Sequence, residues 1–399
     1  MGEKKKGKGP DGASGSKEYH REVGNVIVGV IGHLEKAFAK VHIDGPAVDP
    51  AKIQKSPMMI VSTHRSHVDY FLVGSYLSRM GFRNLRFAAG DNLTKLPWIG
   101  KRFLAFGAFS VSRDSGFERN YVRNLCGAVV KMLRDGDAVL VFPEGGRSYS
   151  GAMLEIRGGI LNAALITQAA NPDIDVYLLP TTVSYEYPPD LPQFPLLLKG
   201  KKMRKKPTNF LKKTFGSVYY FGADIMAFAP FMLAKRFGRG KYGEAYMDYG
   251  QPISVKSLVD LEANRVEGAR DEFAAHRASL DILGQKLNGI FTSMYRVLPV
   301  HIVATILCGQ EYGAGIGGPG ILALELYART ARQALKEAGR NCKALDGLTD
   351  RQIAEKGIKQ LRRLKAVSVE RTDERKVRVL KPQIIDYFAA TTARQEGKE

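Results

Sequence analysis

The chain reads as an α/β protein, with a largely parallel sheet flanked by helices, an amino-terminal helix ahead of it and a helical carboxy-terminal region behind. Three observations point there. Short apolar runs alternate with amphipathic stretches between residues 57 and 190, Asp, Gly and Pro punctuate the changes, and the chemically unusual sequence falls straight after apolar runs. In open sheets of this kind ligands sit beyond the carboxyl ends of the strands. Those segments are where function is expected.

Residues 1–18 (MGEKKKGKGPDGASGSKE) are polar and rich in Gly and Lys, as a disordered basic tail is. Within 17–41, Val23, Ile27, Val30, Leu34 and Phe38 recur at helical spacing and make one apolar stripe. Such a stripe either lies on a membrane or packs on the core, and the pattern fits both. MMIVST (58–63) and NLRFAA (84–89) read as buried strands. A helix over 116–135 follows from Phe117, Tyr121, Leu125, Val129 and Met132 or Leu133, with Asp135-Gly136-Asp137 as its stop. AVLVFP (138–143) is a third strand, 157–170 a helix and VYLLPTTVSYE (176–186) a fourth strand. YMDYGQPISV (246–255) reads as a strand with a turn, and 256–300 and 321–365 as two helical blocks. The expected division is a tail over 1–18, a helical segment over 19–56, the α/β domain over 57–255 and a helical region over 256–399.

Composition narrows the classes. At 399 residues, 44% hydrophobic and 25% charged, the chain is an ordinary globular protein of two or three domains. Sixty Lys+Arg against 40 Asp+Glu give a net charge of +20, which implies an anionic partner such as nucleic acid, a membrane surface, an acidic protein or a phosphorylated substrate. Three cysteines (Cys126, Cys308, Cys342) at no metal-like spacing exclude a disulfide scaffold and a zinc ribbon, and fit a reducing cytosolic compartment. No signal peptide is visible, the Met-Gly start lacks the serine or threonine of a myristoylation signal, and no apolar stretch is long enough to span a bilayer. The expectation is a soluble or peripheral protein.

Four segments carry chemistry. THRSHVDYF (63–71) follows a strand directly, so His64 and Asp69 lie across a strand-to-helix turn where the carboxylate can reach the imidazole. That pair makes a general base, with Asp69 holding Nδ1–H and Nε2 free to accept a proton. A helix-capping Asp69 beside a buried His64 is the plainer alternative, and His67 is a supporting candidate. In VFPEGGRSYSG (141–151), Gly145 and Gly146 let the backbone approach a ligand and Arg147 can grip an anion bidentately. Glu144 beside them is expected to orient Arg147 or receive a substrate hydroxyl. Arg113 follows the apolar stretch of FGAFSVSRD (106–114), and Pro180 sits inside a strand, a position normally confined to edges and bulges, which suggests a binding surface there. GAGIGG (313–318) matches a dinucleotide fingerprint without its strand or acidic partner, so a loop is the better reading.

Taken together, these segments resemble the ordered blocks of the glycerolipid acyltransferase superfamily: HxxxxD, G-x-F-x-x-x-R, FPEG-x-R-S and a proline-containing strand. HRSHVDY (64–70), FPEGGRSYSG (142–151) and SYEY (184–187) are similar to the bacterial membrane-bound glycerol-3-phosphate acyltransferases and the related dihydroxyacetone-phosphate acyltransferases. YGEAYMDYGQPISV (242–255) is similar to a strand after their core, so the resemblance covers about 58–255. Two departures stand out. Ser112 precedes Arg113 where those enzymes usually carry two arginines, and the chain starts close to the core without their large amino-terminal region.

The resemblance implies transfer of a fatty acyl group from acyl-CoA or acyl carrier protein to the sn-1 hydroxyl of glycerol-3-phosphate. His64 and Asp69 would be catalytic, with Arg113, Glu144, Gly145, Gly146, Arg147, Ser148 and Pro180 around the substrate. Neither a metal nor a cofactor is called for. Residues 199–241 carry twelve Lys/Arg and one acid, Asp224, around the apolar run IMAFAPFMLA (225–234). Lys201, Lys202, Arg204, Lys205 and Lys206 would attract an anionic membrane or donor, and Phe228 and Phe231 would insert shallowly. The expected location is the cytoplasmic side of the cell membrane, peripherally bound. Dihydroxyacetone phosphate or a lysophospholipid is the alternative acceptor. The rival class is a basic nucleic-acid-binding protein with a winged-helix-like unit over 349–381, a reading that leaves the four blocks unexplained. No sequence-specific nucleic-acid contact is expected.

Overall fold

A computed structural model describes residues 16–90, 104, 107–111, 119–194, 231, 240–308, 318–370 and 375–392. The order begins with α1 (Ser16–Ala37), β1 (Lys40–Asp44), α2 (Pro50–Ile53), β2 (Met58–Ser62), α3 (Asp69–Arg79), β3 (Leu85–Gly90) and β4 (Ala108–Val111). It continues through α4 (Arg119–Arg134), β5 (Ala138–Val141), α5 (Gly158–Ala169), β6 (Tyr177–Tyr185), β7 (Glu244–Tyr249) and β8 (Ile253–Ser254). The remainder is α6 (Val255–Leu258), α7 (Glu272–Ala275), α8 (Arg277–Met294), α9 (Pro299–Cys308), α10 (Ile321–Glu337), α11 (Asp350–Arg363), β9 (Val367–Val369), β10 (Val377–Val379) and α12 (Pro382–Ala390).

The main sheet runs β1-β7-β6-β2-β5-β3-β4, with β8 also paired to β6. From β6 through β4 every pairing is parallel, whereas β7 and β8 run antiparallel to β6. Strand alternation builds two cores. In β2, Met58 and Ile60 face a layer formed by α1 and α3, with Leu34, Phe38 and Leu72 among its residues. Met59 and Val61 face the other layer, with Cys126, Val129, Leu161 and Leu283 from α4, α5 and α8. A strand buried on both faces must be apolar throughout, which is why MMIVS shows no polar alternation. Burial also pushes the Cys126 thiol up to about 12, as suits a small core residue.

The expected strands at β2, β3, β5 and β6 are present, as are α4 and α5. Two strands lie outside the expected set. β1 follows α1 directly, within the end of the 17–41 helix and the residues after it, and pairs in parallel with β7. β4 lies in GAFSV, paired with β3. Both are short and only partly buried, and their pairing comes from tertiary neighbours. The 256–300 block is helical over α6, α7, α8 and the start of α9, and 321–365 is two helices parted by a connection bearing Gly339 and Gly347 at positive φ.

The two readings of α1 are decided for its carboxyl half. Leu34 and Phe38 are buried in the core with Ile27 and Val30 packed beside them, while Val28 stays 71% exposed. The helix, strand and strand expected within 349–381 are α11, β9 and β10, and the last two pair antiparallel. They share a third core with α9 and α12 that reaches Tyr149, Leu191, Phe194 and Tyr246 of the sheet domain. Of GAGIGG, residues 313–317 lie outside the described residues. Among those described, no helix is long and apolar enough to cross a membrane.

Candidate active site

β2 ends at Ser62, and a short loop leads to α3, whose first residue is Asp69. That loop is tied down from three sides. β6 extends beyond β2, so Thr63 N–H donates to Thr181 O (3.2 Å) and Thr63 Oγ1 accepts from Val183 N–H (3.1 Å). From the turn after β5, Glu144 accepts from His64 N–H (2.9 Å), and Ser148 N–H donates to His64 O (3.1 Å). Asp190, after β6, accepts from Ser66 Oγ (2.9 Å) and His67 N–H (3.0 Å).

Asp69 is fully buried and accepts four hydrogen bonds. Its Oδ2 takes His64 Nδ1–H (2.9 Å) and the backbone N–H groups of Arg65 (2.6 Å) and Ser66 (2.9 Å), while Oδ1 takes the Tyr185 hydroxyl (2.6 Å). A carboxylate only accepts, so Nδ1 carries the proton and Nε2 keeps its lone pair. The imidazole stacks on Phe142 (centroids 4.1 Å apart) and meets the edge of Tyr70 (5.2 Å). At 5% exposure, burial pulls the His64 pKa below its ordinary 6.5; Asp69 opposes that pull, and the charges of Arg147 and His67 add to it. A neutral, oriented base at neutral pH results.

The arrangement corrects several expectations. Glu144 does not orient Arg147. It receives Arg65 Nη1 at 3.2 and 3.0 Å and Leu154 N–H at 3.0 Å. Arg147 is 4% exposed and donates to Asp190 Oδ2 (2.5 Å) and Tyr149 Oη (3.2 Å). Both buried acids thus meet a buried guanidinium, as desolvated charges require. Ser148 closes its own turn through Oγ–H to Ala152 O (2.6 Å).

The glycines behave as their types demand. Gly145 has a φ of +68°, and a Cβ there would lie 2.9 Å from Arg157 Cδ. A Cβ at Gly146 would meet nothing within 4 Å, so the chain borders open space there.

Pro180 is buried inside the sheet, opposite Val61 of β2, where an edge or bulge was expected. Tyr177 N–H points toward the β2 side (Pro57 O, 2.9 Å), so by strand alternation the nitrogen of Pro180 faces the other side, where β8 gives way to β7. A missing donor costs nothing at that gap. Phe231, expected at a membrane, is 3% exposed and packs against His33, Phe38 and Tyr242, with its carbonyl hydrogen-bonded to His33 Nε2 (2.7 Å). Arg113, Phe228, Lys201, Lys202, Arg204, Lys205 and Lys206 lie outside the described residues.

Sequence reasoning missed Arg65, Tyr185 and Asp190. Arg65 and Glu144 were legible as opposite charges at the ends of the paired strands β2 and β5. Nothing local marks Asp190. No His, Cys, Asp and Glu cluster among the described residues could hold a metal ion.

The pieces amount to a histidine–carboxylate base at the carboxyl end of a parallel sheet, walled by buried ion pairs. Residues 42–184 match the family model described as Acyltransferase. The matched segment contains both members of the base, His64 and Asp69. The chain is 27% identical over 262 residues to a glycerol-3-phosphate acyltransferase of Shewanella pealeana, covering 64% of this chain and 30% of that protein. It is also 26% identical over 229 residues to the dihydroxyacetone phosphate acyltransferase of Bos taurus, covering 57% and 31%. It therefore spans about a third or less of the length of these relatives. The 1-acyl-sn-glycerophosphate acyltransferase of Thermotoga maritima is a structural neighbour at TM-score 0.36 and 14% identity, covering 69% of this chain and 83% of that one.

Proposed function

We propose that the protein transfers a fatty acyl group from acyl-CoA or acyl carrier protein to the sn-1 hydroxyl of glycerol-3-phosphate, giving lysophosphatidic acid. The observation that carries this reading is the buried His64–Asp69 pair, with Asp69 engaging Nδ1 and leaving Nε2 as the acceptor nitrogen, inside the segment that matches the Acyltransferase model. Nε2 takes the proton of the acceptor hydroxyl as its oxygen attacks the thioester carbonyl carbon. Asp69 stabilises the imidazolium. The tetrahedral adduct collapses, the C–S bond breaks, and the imidazolium returns its proton to the thiolate. Base, acceptor and thioester complete the chemistry without a metal or cofactor.

Arg113 and Arg147 are assigned to the acceptor phosphate. A phosphate reaching Arg147 competes with Asp190 for the guanidinium, and the open space beside Gly146 supports backbone approach there. The basic belt, Lys201 to Lys206, is assigned to the donor's phosphates and to an anionic membrane surface, with the protein peripheral on its cytoplasmic side. Similarity to the bovine enzyme favours dihydroxyacetone phosphate as the second acceptor to test.

The deciding assay incubates purified protein with palmitoyl-CoA and, separately, glycerol-3-phosphate, dihydroxyacetone phosphate and a lysophospholipid. Acylation of glycerol-3-phosphate that disappears in His64→Ala is expected. Folded protein that acylates none of the three overturns the reading.

A further inference from the structure

We propose that Tyr185 is a positioning residue of the His64–Asp69 pair and that helix α1 fixes it through Phe38; this rests on the acyl-transfer reading of that pair. Asp69 holds its two oxygens by different means. Oδ2 is shared by His64 Nδ1–H and two backbone N–H groups of its own turn, whereas the hydrogen bond to Oδ1 comes from Tyr185 at 2.6 Å, from a strand 116 residues away. Rotation of the carboxylate about χ2 would break all four contacts, so the distant hydroxyl locks the plane in which Oδ2 faces the imidazole.

Tyr185 is suited to stay a donor. It is 2% exposed, and burial followed by the neighbouring Asp69 charge pushes its hydroxyl well above the usual tyrosine range. Asp190 and Tyr295 act in the same direction. Its ring stacks on Phe38, just past the end of α1, at 5.6 Å with planes 22° apart. Phe38 in turn packs on Phe231 and Tyr242. The amino-terminal helix, remote in sequence from the chemistry, thus ends one ring away from the hydroxyl that orients the catalytic carboxylate.

The charge consequence has a definite sign. With the Tyr185 hydroxyl removed, Oδ1 loses its donor and the Asp69 charge falls more fully on the imidazolium. His64, which also faces Arg147 and His67, then titrates at higher pH. A merely structural tyrosine would lower stability and leave that titration in place.

The test follows the imidazole NMR signals of His64 in the full chain, assigned by their loss in His64→Ala, alongside pH–rate profiles. Tyr185→Phe is expected to raise the His64 titration and the acid limb of kcat/KM together by about half a pH unit or more. It should lower kcat roughly 10-fold, with KM for both substrates within about twofold. Phe38→Leu, which keeps the hydroxyl but removes the stacked ring, should shift both in the same direction by less. Unmoved titration in Tyr185→Phe overturns the proposal, and unmoved titration in Phe38→Leu overturns the part played by α1. If Tyr185→Phe does not fold, Phe38→Leu stands in for it by the same readout, and an unmoved titration there then overturns the whole proposal. The titration needs no substrate, so a shift in Tyr185→Phe alongside a wild-type protein that shows no acyl transfer sinks the transferase reading and leaves this inference standing.

Discussion

At the scale of the residue, the proposed chemistry depends on a histidine that is neutral because it is buried and oriented because its neighbour is charged. His64→Ala removes the base and is expected to lower the rate by about 10²–10⁴. Asp69→Asn keeps the shape but cannot hold Nδ1–H in the same way, and mis-set tautomers of this kind cost about 10⁴. Steady-state assays on folded variants check both, and either variant retaining a tenth of the activity removes the general-base role. Because the neutral form is the active one, the rate rises with pH through the His64 pKa. Burial sets that pKa below 6.5, so the acid limb should lie below pH 6.5 and be nearly complete at neutrality. Asp190 makes the other residue-level case. Asp190→Asn strips Arg147 of its buried counter-charge and should destabilise the fold by about 3–5 kcal/mol, read by urea unfolding.

Elements matter here through their overhang. β6 is longer than β2 and carries the loop beyond it, from Thr181 and Val183 at the loop's start to Tyr185 at the dyad. The turn after β5 supplies Glu144, and its far end at Gly151 meets α12. Gly151 has a φ of +86°, and a Cβ there would sit 1.8 Å from Tyr387 O. Gly151→Ala therefore forces both backbone strain and separation of α12 from the site. A loss of about 2 kcal/mol or more is expected, with thermal unfolding as the measurement. Unchanged stability would mean that α12 docks elsewhere.

Over the whole molecule two long-range effects are testable. The net charge of +20 should drive binding to anionic but not neutral vesicles. Screening shortens to a Debye length of about 3 Å at 1 M salt, so sedimentation should fall steeply with ionic strength. Charge reversal at Lys201, Lys202, Arg204, Lys205 and Lys206 should reduce it further; binding indifferent to both would assign the contact to another surface. The second effect comes from His301 of α9, which accepts from Leu298 N–H and is wholly buried. Burial, then the Arg340 and Arg65 charges, lowers its pKa to about 3. Unfolding exposes it to protonation, so stability is full above about pH 6.5 and is lost as pH falls, by about 1.4 kcal/mol per unit toward pH 3. His301→Gln keeps an acceptor and should flatten the decline between pH 6.5 and 5 in denaturant titrations.

Local periodicity by itself determined much of this protein. Both-face burial made β2, β5 and much of β6 continuous apolar runs, amphipathic spacing marked α4, and the five-residue step from His64 to Asp69 marked a turn that joins imidazole to carboxylate. The ion pairs were another matter. Glu144 lies three residues from Arg147, yet its partner is Arg65, because β2 and β5 are adjacent and their end loops share one desolvated space. Arg147 instead meets Asp190, brought in by β6. β1 is too polar and β4 too short to be strands alone, and pairing with β7 and β3 makes them so. Phe231 reads as a membrane anchor from its apolar run, and the aromatic cluster with Phe38 and Tyr242 claims it for the core. Spacing along the chain determines which face a residue takes, since that is set by backbone geometry within a few residues. Which charge is neutralised by which, and which ring is buried, depends on neighbours across the sheet, and only the tertiary structure decided those.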